Sequence, residues 1–475
     1  MRMNALAEQE PEPGHVVEWV PTREALDVAG RAEPHPAPAS FFQENHLRRS
    51  IANDEAGAVH SPWLSTVFEL PGPLDLGALG AAWQRWVRRH GTLLTWFRQE
   101  AGELQRYAVP AESVTLTRVD VGELTTSEQV REHLLQRFAS GTSALGWPAF
   151  VLGAVQREGS ATVYFAVDHA HTDGYSIFLV FDELRQLYEE EAGGPAADLP
   201  EVGDHVESAE LERRRARDVP ADTAAAVPWL DFFRGGGGMP PSFPLPLGIE
   251  RGESRPKRLL ERELFDDRRA TAFGRRCREH GANLAAGLFA ALAITSHELG
   301  GVDEYRTLTP VHTRDEPRWA AAQGWFINLV PVRFPVGADF GATARAAEQA
   351  FARARAAADV PVPRLVELLG DGLNLQSDPR SVLPMVSFID ARRIRGSDRW
   401  EQARCQVLSG PGAGFDVPMW VNRLRELTYL KASCPETPEA LENVGRYLDH
   451  VVGVLGRVVD DGDHLVAWPA AVPAD

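Results

Sequence analysis

The sequence predicts an α/β protein built from two segments in which strands and helices alternate. The chain has 475 residues. At about 150 residues per domain this length is enough for two to three hydrophobic cores. Apolar residues make up 44% and charged residues 24% of the chain, which is the balance of an ordinary globular protein. Residues 196–248 are rich in Pro and Gly, which interrupt helical and strand periods. They therefore separate two halves.

These patterns divide the chain into four parts. Residues 1–38 hold many Pro, Glu and Ala residues without sustained periodicity, so we expect a loose N-terminal arm. An N-terminal subdomain is expected over 39–195, a connector over 196–248 and a C-terminal subdomain over 249–475.

In the first half, short apolar runs predict strands and longer segments with helical spacing predict helices. Leu79, Trp83 and Trp86, for example, share one face of a helix. The predicted strands are 63–70, 150–156 and 161–167, and the predicted helices are 76–89, 130–138 and 177–190.

The second half repeats this alternation. The predicted strands are 260–264, 329–334 and 385–389, and the predicted helices are 268–280, 284–299 and 438–458. Because proline has no N–H to donate, Pro331 predicts that its strand lies at a sheet edge or contains a bulge. Two strings, WQRWVRRHG at 83–91 and FGRRCREHG at 273–281, place an aromatic residue, basic residues and a final His-Gly at the same spacing. This similarity would arise from two related halves or from two amphipathic helices with similar ends.

Composition excludes several classes of protein. With 49 Lys and Arg against 67 Asp and Glu, the net charge is −18, which disfavours binding to nucleic acid or to an anionic membrane. The 3 cysteines form no CxxC pair. No apolar run approaches the roughly 18 residues of a membrane span, and the first residues lack the pattern of a secretory signal. We expect a cytoplasmic monomer.

Residues 168–176, DHAHTDGYS, carry the strongest chemical signal. They lie where a predicted buried strand ends and a helix begins, so a loop there can hold a side chain rigidly and still leave it reachable. His169 can accept a proton from a hydroxyl or an amine at neutral pH, since imidazole has a pKa near ~6.5. Asp173, four residues later, can orient the ring or pair with an arginine. The histidines show no spacing typical of metal ligands, so no metal is expected.

This string resembles the HHxxxDG motif of the condensation-domain superfamily, which includes nonribosomal-peptide condensation domains and polyketide-associated acyltransferases. Further blocks are similar in the same order, namely PASFFQ at 38–43, RHGTLLTWF at 89–97, PVHTR at 310–314 and GWFINLVPVR at 324–333. Residues 229–248 are similar to the connector of the polyketide-associated branch. The DFGWG block of many relatives is absent, and FDVPMW at 415–420 is the nearest string.

The resemblance implies two chloramphenicol-acetyltransferase-like subdomains in a V-shaped pseudo-dimer with a tunnel between them. It implies a stand-alone acyltransferase of natural-product biosynthesis that moves an acyl group from a thioester to a hydroxyl or an amine, without a covalent acyl-enzyme. In that scheme His169 is the general base, and Asp173 and Gly174 complete the catalytic motif. Arg314, from the second half, is the candidate ion-pair partner of Asp173.

The donor expected from the resemblance is the phosphopantetheine arm of an acyl- or peptidyl-carrier protein acting in trans, or coenzyme A. No permanently bound cofactor is expected, and no cofactor-binding residues are identified. The arginine-rich run at 213–217 would either dock an acidic carrier or form a solvated helix face.

Five further residues are candidate substrate contacts, and each has a structural alternative in a satisfied hydrogen bond or in packing. They are Asp168, His171, Ser176, Asn328 and Ser387. Asp168 replaces the first histidine of the family motif.

Three alternative functions remain open. Asp168, Asp173 and Ser176 also fit the DxxxxDxxS pattern of heterocyclisation domains. A lipid or sugar O-acyltransferase and a non-catalytic module that recruits a carrier or partner are the other two.

Overall fold

The computed structural model describes residues 1–220, 222–237, 240–250, 253–370 and 384–468. The chain forms two compact units. Unit 1 contains Met1–Asp218, His312–Ile327 and Arg393–Gly412, and unit 2 contains the described residues of Val219–Val311, Asn328–Arg392 and Ala413–Asp475. Each unit is discontinuous in sequence, so this division differs from the predicted boundaries, which are contiguous.

Unit 1 contains two β-sheets and six helices among its described residues. The strands are β1 (Arg2–Ala5), β2 (Gly14–Pro21), β3 (Trp63–Pro71), β4 (Thr95–Glu100), β5 (Glu103–Ala108), β6 (Leu116–Leu124), β7 (Phe150–Gln156), β8 (Ser160–Asp168) and β13 (Gln406–Ser409). The helices are α1 (Arg23–Gly30), α2 (Phe41–Glu55), α3 (Leu76–Arg89), α4 (Ser127–Gly141), α5 (Ser176–Glu191) and α6 (His205–Arg217).

The main sheet of unit 1 has seven strands in the order β1-β13-β3-β8-β7-β2-β6. β1 and β13 are parallel, and the other neighbours are antiparallel. β8 lies at the centre, which explains why its sequence is apolar on both faces. β4 and β5 form a separate antiparallel pair.

Residues 1–38 are not a loose arm. β1 pairs with β13, and β2 lies between β7 and β6 with Val16, Val17 and Trp19 buried. The apolar part of β2 is short and has Pro and Glu residues around it, so its own pattern is weak. Strand partners more than a hundred residues away supply the hydrogen bonds that make it a strand.

The helix α3 illustrates why predictions in unit 1 succeed. Asp75 accepts hydrogen bonds from the N–H groups of Gly77 and Ala78 and caps the helix start. The helix then buries the face that carries Leu79, Trp83 and Trp86. Because capping and amphipathic spacing are both local signals, the sequence predicts both ends of this helix.

Unit 2 contains a five-stranded sheet, a two-stranded sheet and six helices among its described residues. The strands are β9 (Arg255–Asp266), β10 (Glu304–His312), β11 (Ile327–Pro335), β12 (Val386–Asp390), β14 (Ala413–Gly414), β15 (Met419–Arg423) and β16 (Leu427–Pro435). The helices are α7 (Ala226–Gly235), α8 (Asp267–Glu279), α9 (Leu284–Gly300), α10 (Phe340–Ala354), α11 (Val362–Leu369) and α12 (Pro438–Asp461).

The larger sheet of unit 2 has the order β12-β15-β16-β9-β14, and β10 pairs with β11. Pro331 thus lies in a strand of a two-stranded sheet, in agreement with its predicted edge position. The helices α8, α10 and α12 pack around α9, which is apolar on all sides for that reason.

Every strand and helix predicted from the sequence is present, but the connector is more regular than expected. Residues 196–248 include α6 and α7, whose short apolar spacing the surrounding Pro and Gly residues obscure. In the described part of the chain, no helix has both the length and the apolar character that crossing a bilayer requires.

Candidate functional site

The candidate site is the loop that joins β8 to α5 in unit 1. β8 ends at Asp168, His169–His171 form one turn of 3-10 helix, and α5 begins at Ser176. The His169 N–H donates to the carbonyl of Pro62 at 2.7 Å, which fixes the start of the turn. A central strand and a buried helix therefore hold both ends of a loop of only seven residues.

Asp168 is buried at the strand end. Its Oδ1 accepts hydrogen bonds from the Ala170 N–H at 2.7 Å and from Nε2 of His46 at 2.9 Å. Burial alone would raise the pKa of Asp168, but His46 and the Ala170 N–H hold it below its usual value. The carboxylate is thus enclosed and paired, in agreement with the structural alternative for Asp168.

His46 comes from α2 and is itself buried. Its Nδ1 lies 3.1 Å from the guanidinium of Arg49. Arginine can only donate, so Nδ1 accepts and the hydrogen of a neutral His46 is on Nε2, directed at Asp168. Arg49, His46 and Asp168 therefore form a chain of hydrogen bonds that ends at the loop.

His169 is half-buried and lies against aromatic side chains. Its ring centroid is 4.1 Å from that of Trp325 and 5.9 Å from that of His46. Its Nδ1 is enclosed and has no hydrogen-bond partner, which leaves Nε2 as the ring nitrogen for a substrate. Burial lowers the pKa of His169 to about 4, and Asp173 and Asp168 oppose that shift. The imidazole is therefore neutral at pH 7 and able to accept a proton.

His171 points into the interior of unit 1. It is fully buried, its Nδ1 lies 3.1 Å from Oγ1 of Thr92, and its ring stacks on Phe97 at 6.2 Å. Burial lowers the pKa of His171 to about 4. This position agrees with the packing alternative for His171, and the two histidines of the loop lie in different environments.

Asp173 fixes the helix end of the loop. Its Oδ1 accepts from the N–H groups of Tyr175 and Ser176 at 2.9 and 2.6 Å. Its Oδ2 accepts from the Phe326 N–H at 2.9 Å and lies 3.6 Å from the guanidinium of Arg314. Asp173 is 1% exposed, so its charge is stabilised by these groups rather than by water.

Arg314 connects this end of the loop to residues 312–327. It donates to Oγ of Ser176 at 2.6 Å and to the carbonyls of Ala322 and Trp319. Burial lowers the pKa of Arg314, and Asp173 opposes that shift. The sequence placed Arg314 in the second half, but this segment belongs to unit 1.

Ser176 joins the loop to the segment that contains Gly324. Its Oγ donates to the Gly324 carbonyl at 2.8 Å and is fully buried, in agreement with its structural alternative. Gly174 does not have a positive φ, so a left-handed conformation is not the reason for glycine there.

Asn328 and Ser387 lie in unit 2. The Asn328 amide donates to the carbonyls of Ala358 and Val360 and accepts from the Leu329 and Val362 N–H groups. It thus fixes the chain before α11, in agreement with its structural alternative. Ser387 is a buried residue of β12, opposite Trp420.

Four residues that surround the loop, Gln43, His46, Arg106 and Trp325, are not among the candidates from the sequence. Gln43 donates to the Ala170 carbonyl at 2.7 Å and accepts from the buried Arg106 at 2.9 Å. His46 and Trp325 flank His169. Gln43 and Trp325 lie within PASFFQ and GWFINLVPVR, two of the blocks that carry the family resemblance, so the sequence held a signal for both. His46 and Arg106 had no such signal, because only the fold brings them to the loop.

Among the described residues, no group of three or more His, Cys, Asp and Glu side chains is arranged to hold a metal ion. The chemistry that the loop itself offers is proton transfer at His169.

Comparison with known proteins gives a consistent result. The sequence model of the condensation domain matches residues 37–388. The chain is 29% identical to acyltransferase PapA3 of Mycobacterium tuberculosis (strain CDC 1551 / Oshkosh), over 97% of this chain and 98% of that protein. It is 27% identical to trehalose-2-sulfate acyltransferase PapA2 of Mycobacterium bovis (strain BCG / Pasteur 1173P2), over 96% and 97%.

The fold is also similar to that of solved structures. A structure of PapA2 acyl transferase has a TM-score of 0.89 and 26% identity, and it covers 97% of this chain and 100% of that one. The predicted α/β fold is thus confirmed as that of condensation-domain structures.

Proposed function

The chain belongs to the condensation-domain family and is an acyltransferase. From that premise we propose that it transfers an acyl group from a thioester to a hydroxyl group of a sugar, forming an ester. Its similarity to trehalose-2-sulfate acyltransferase PapA2 extends over nearly the full length of both chains and supports this acceptor class. The donor is a pantetheine thioester, on coenzyme A or on a carrier protein.

The observation that carries the proposal is the placement of His169. It is neutral at pH 7, half-buried, and part of a loop whose two ends are fixed by Asp168 and Asp173. The sugar hydroxyl attacks the thioester carbonyl, so that the C–O bond forms and the C–S bond breaks. The hydroxyl proton passes to His169 and then to the leaving sulfur, which departs as a thiol. Proton transfer by a positioned histidine contributes about 10²–10⁴-fold to the rate.

Asp168 argues against heterocyclisation. That alternative needs this carboxylate at the reacting atoms, but Asp168 is 2% exposed and accepts hydrogen bonds from His46 and Ala170. We therefore propose a positioning role for it.

Charge distribution bears on the donor. In the arginine-rich run of α6, Arg213 pairs with Glu44, Arg214 with Glu210 and Arg215 with Asp315. Arg214 and Arg215 are exposed and paired, which favours the solvated-face interpretation over a docking site for an acidic carrier, whereas Arg213 packs over the ring of Phe41.

The test is acyl transfer followed by mass spectrometry. One long acyl chain is offered on coenzyme A and on a carrier's phosphopantetheine arm, with trehalose, trehalose-2-sulfate or an amino sugar as acceptor. We expect an ester that hydroxylamine cleaves, and a loss of about 10²-fold or more in His169→Ala. His133→Ala, which removes the pair between His133 of α4 and Glu18 of β2, is the matched control. Equal turnover by wild type and His169→Ala, an amide product, or no product would each contradict the proposal.

A further inference from the structure

The strand end of the loop contains a group that the family motif does not account for. The motif's first histidine is Asp168 in this chain, and a histidine from a different element, His46 of α2, contacts it at 2.9 Å. His46 is 4% exposed and Asp168 is 2% exposed. A buried carboxylate without a partner would be costly to keep ionised, so the pair accounts for its charge.

The geometry also fixes the state of His46. Arg49 donates to its Nδ1, and Nε2–H therefore faces Asp168. Its ring centroid lies 5.2 Å from that of Trp325, and Trp325 packs on His169. Both ring nitrogens of His46 are thus held by hydrogen bonds, and the ring lies close to that of His169.

The catalytic step creates a need for this arrangement. When His169 accepts the hydroxyl proton, a positive charge forms in a site that excludes much of the water. The carboxylates of Asp173 and Asp168 both favour that charge, and the contribution of Asp168 depends on its staying deprotonated and fixed.

We propose that His46, oriented by Arg49, is a positioning residue that holds Asp168 in place beside His169 and so stabilises the imidazolium formed during acyl transfer. This inference rests on the proposed function, in which His169 is the base. His46 is therefore a hydrogen-bond partner of Asp168 that comes from outside the motif.

The test compares kcat and KM for His46→Phe, His46→Gln and the control His133→Phe, using the donor and acceptor that the wild type accepts. His46→Phe keeps a ring against Trp325 but removes the N–H donor. We expect its kcat to fall by about 10-fold or more with KM within about twofold. His46→Gln, whose amide N–H can still reach Asp168, should keep most of kcat, and His133→Phe should change neither constant.

The unfolding temperature of each variant distinguishes a loss of positioning from a loss of folded protein. A kcat unchanged in His46→Phe overturns the proposal, as does an equal fall in His46→Gln. A fall in kcat that the loss of folded protein fully explains also overturns it.

A second measurement needs no substrate and no variant that folds poorly. Nitrogen-15 NMR of labelled histidines in the wild type should show His46 neutral at pH 7 with its hydrogen on Nε2, assigned by comparison with His46→Gln. A hydrogen on Nδ1, or a doubly protonated ring, overturns the proposal. If the wild type transfers no acyl group, the proposed function fails while this measurement still decides the state of His46.

Discussion

The loop from β8 to α5 is held at each end by a buried carboxylate, and the two ends are held differently. At the helix end, Asp173 accepts three backbone N–H groups and lies beside Arg314. At the strand end, Asp168 accepts one backbone N–H and one imidazole N–H. The helix end is therefore held by more hydrogen bonds than the strand end, and by a buried arginine.

The difference separates two tasks. Asp173 ties the loop to the segment 312–327, so its loss breaks contacts between parts of the chain far apart in sequence. Asp168 is held by His46 and immediately precedes His169, so we expect its loss to act mainly on the proposed base. We expect changes at the helix end to affect folding most and changes at the strand end to affect chemistry most.

The largest expected effect on stability is that of Asp173→Ala. It leaves the buried Arg314 without its carboxylate and removes the acceptor of three N–H groups, which should cost about 3–5 kcal/mol. Chemical denaturation of both proteins measures this. Asp75→Ala, which removes an exposed carboxylate from the start of α3, is the control and should cost about 1 kcal/mol. Equal losses in the two variants would contradict the importance of the buried pair.

A smaller effect is expected from His171, which lies between the two ends. The pKa of His171 is lowered to about 4, so below pH ~6.5 the unfolded chain binds a proton that the folded chain does not. The free energy of unfolding should therefore fall with pH from about 6.5 to 4, by up to roughly 1.4 kcal/mol per pH unit from this residue. His171→Phe keeps the stacking on Phe97 and should make that fall less steep. An identical pH dependence in both proteins would show that His171 binds its proton equally in the folded and unfolded chains and would contradict the lowered pKa.

The smallest effect on stability is expected from Asp168→Asn, which keeps the acceptor oxygen but removes the charge. It should cost about 1 kcal/mol at pH 7. Because the pKa of Asp168 is lower when folded, its stabilisation is present above the unfolded value of ~3.9 and is lost as the pH falls through the folded value. The difference between wild type and variant should shrink in that acidic range. A difference that stays constant there would mean that the charge of Asp168 does not contribute.

The sequence predicts some parts of this protein well because their signals are local. The helix α3 has its cap and its apolar face within its own residues, and β8 is a continuous apolar run. His169 and Asp173 stand in a short motif between two such elements. Arg314 also lies in a recognisable block, although the sequence assigned it to the wrong half.

Other parts had no local signal. β1 and β2 become strands because β13, β6 and β7 pair with them. His46 carries no motif, and its contact with Asp168 spans more than a hundred residues. The motif separates His169 from His171, but only the fold shows that His171 stacks on Phe97 and that His169 packs against Trp325.

The sequence by itself determined the α/β class, the elements with strong periodicity and the loop that carries the candidate base. These depend on interactions between residues close in the chain. The tertiary structure alone decided which side chains surround each histidine of the loop, which partners fix each carboxylate, and that residues 312–327 join unit 1. Those outcomes depend on hydrogen bonds and burial between distant segments, which no local pattern of residues specifies.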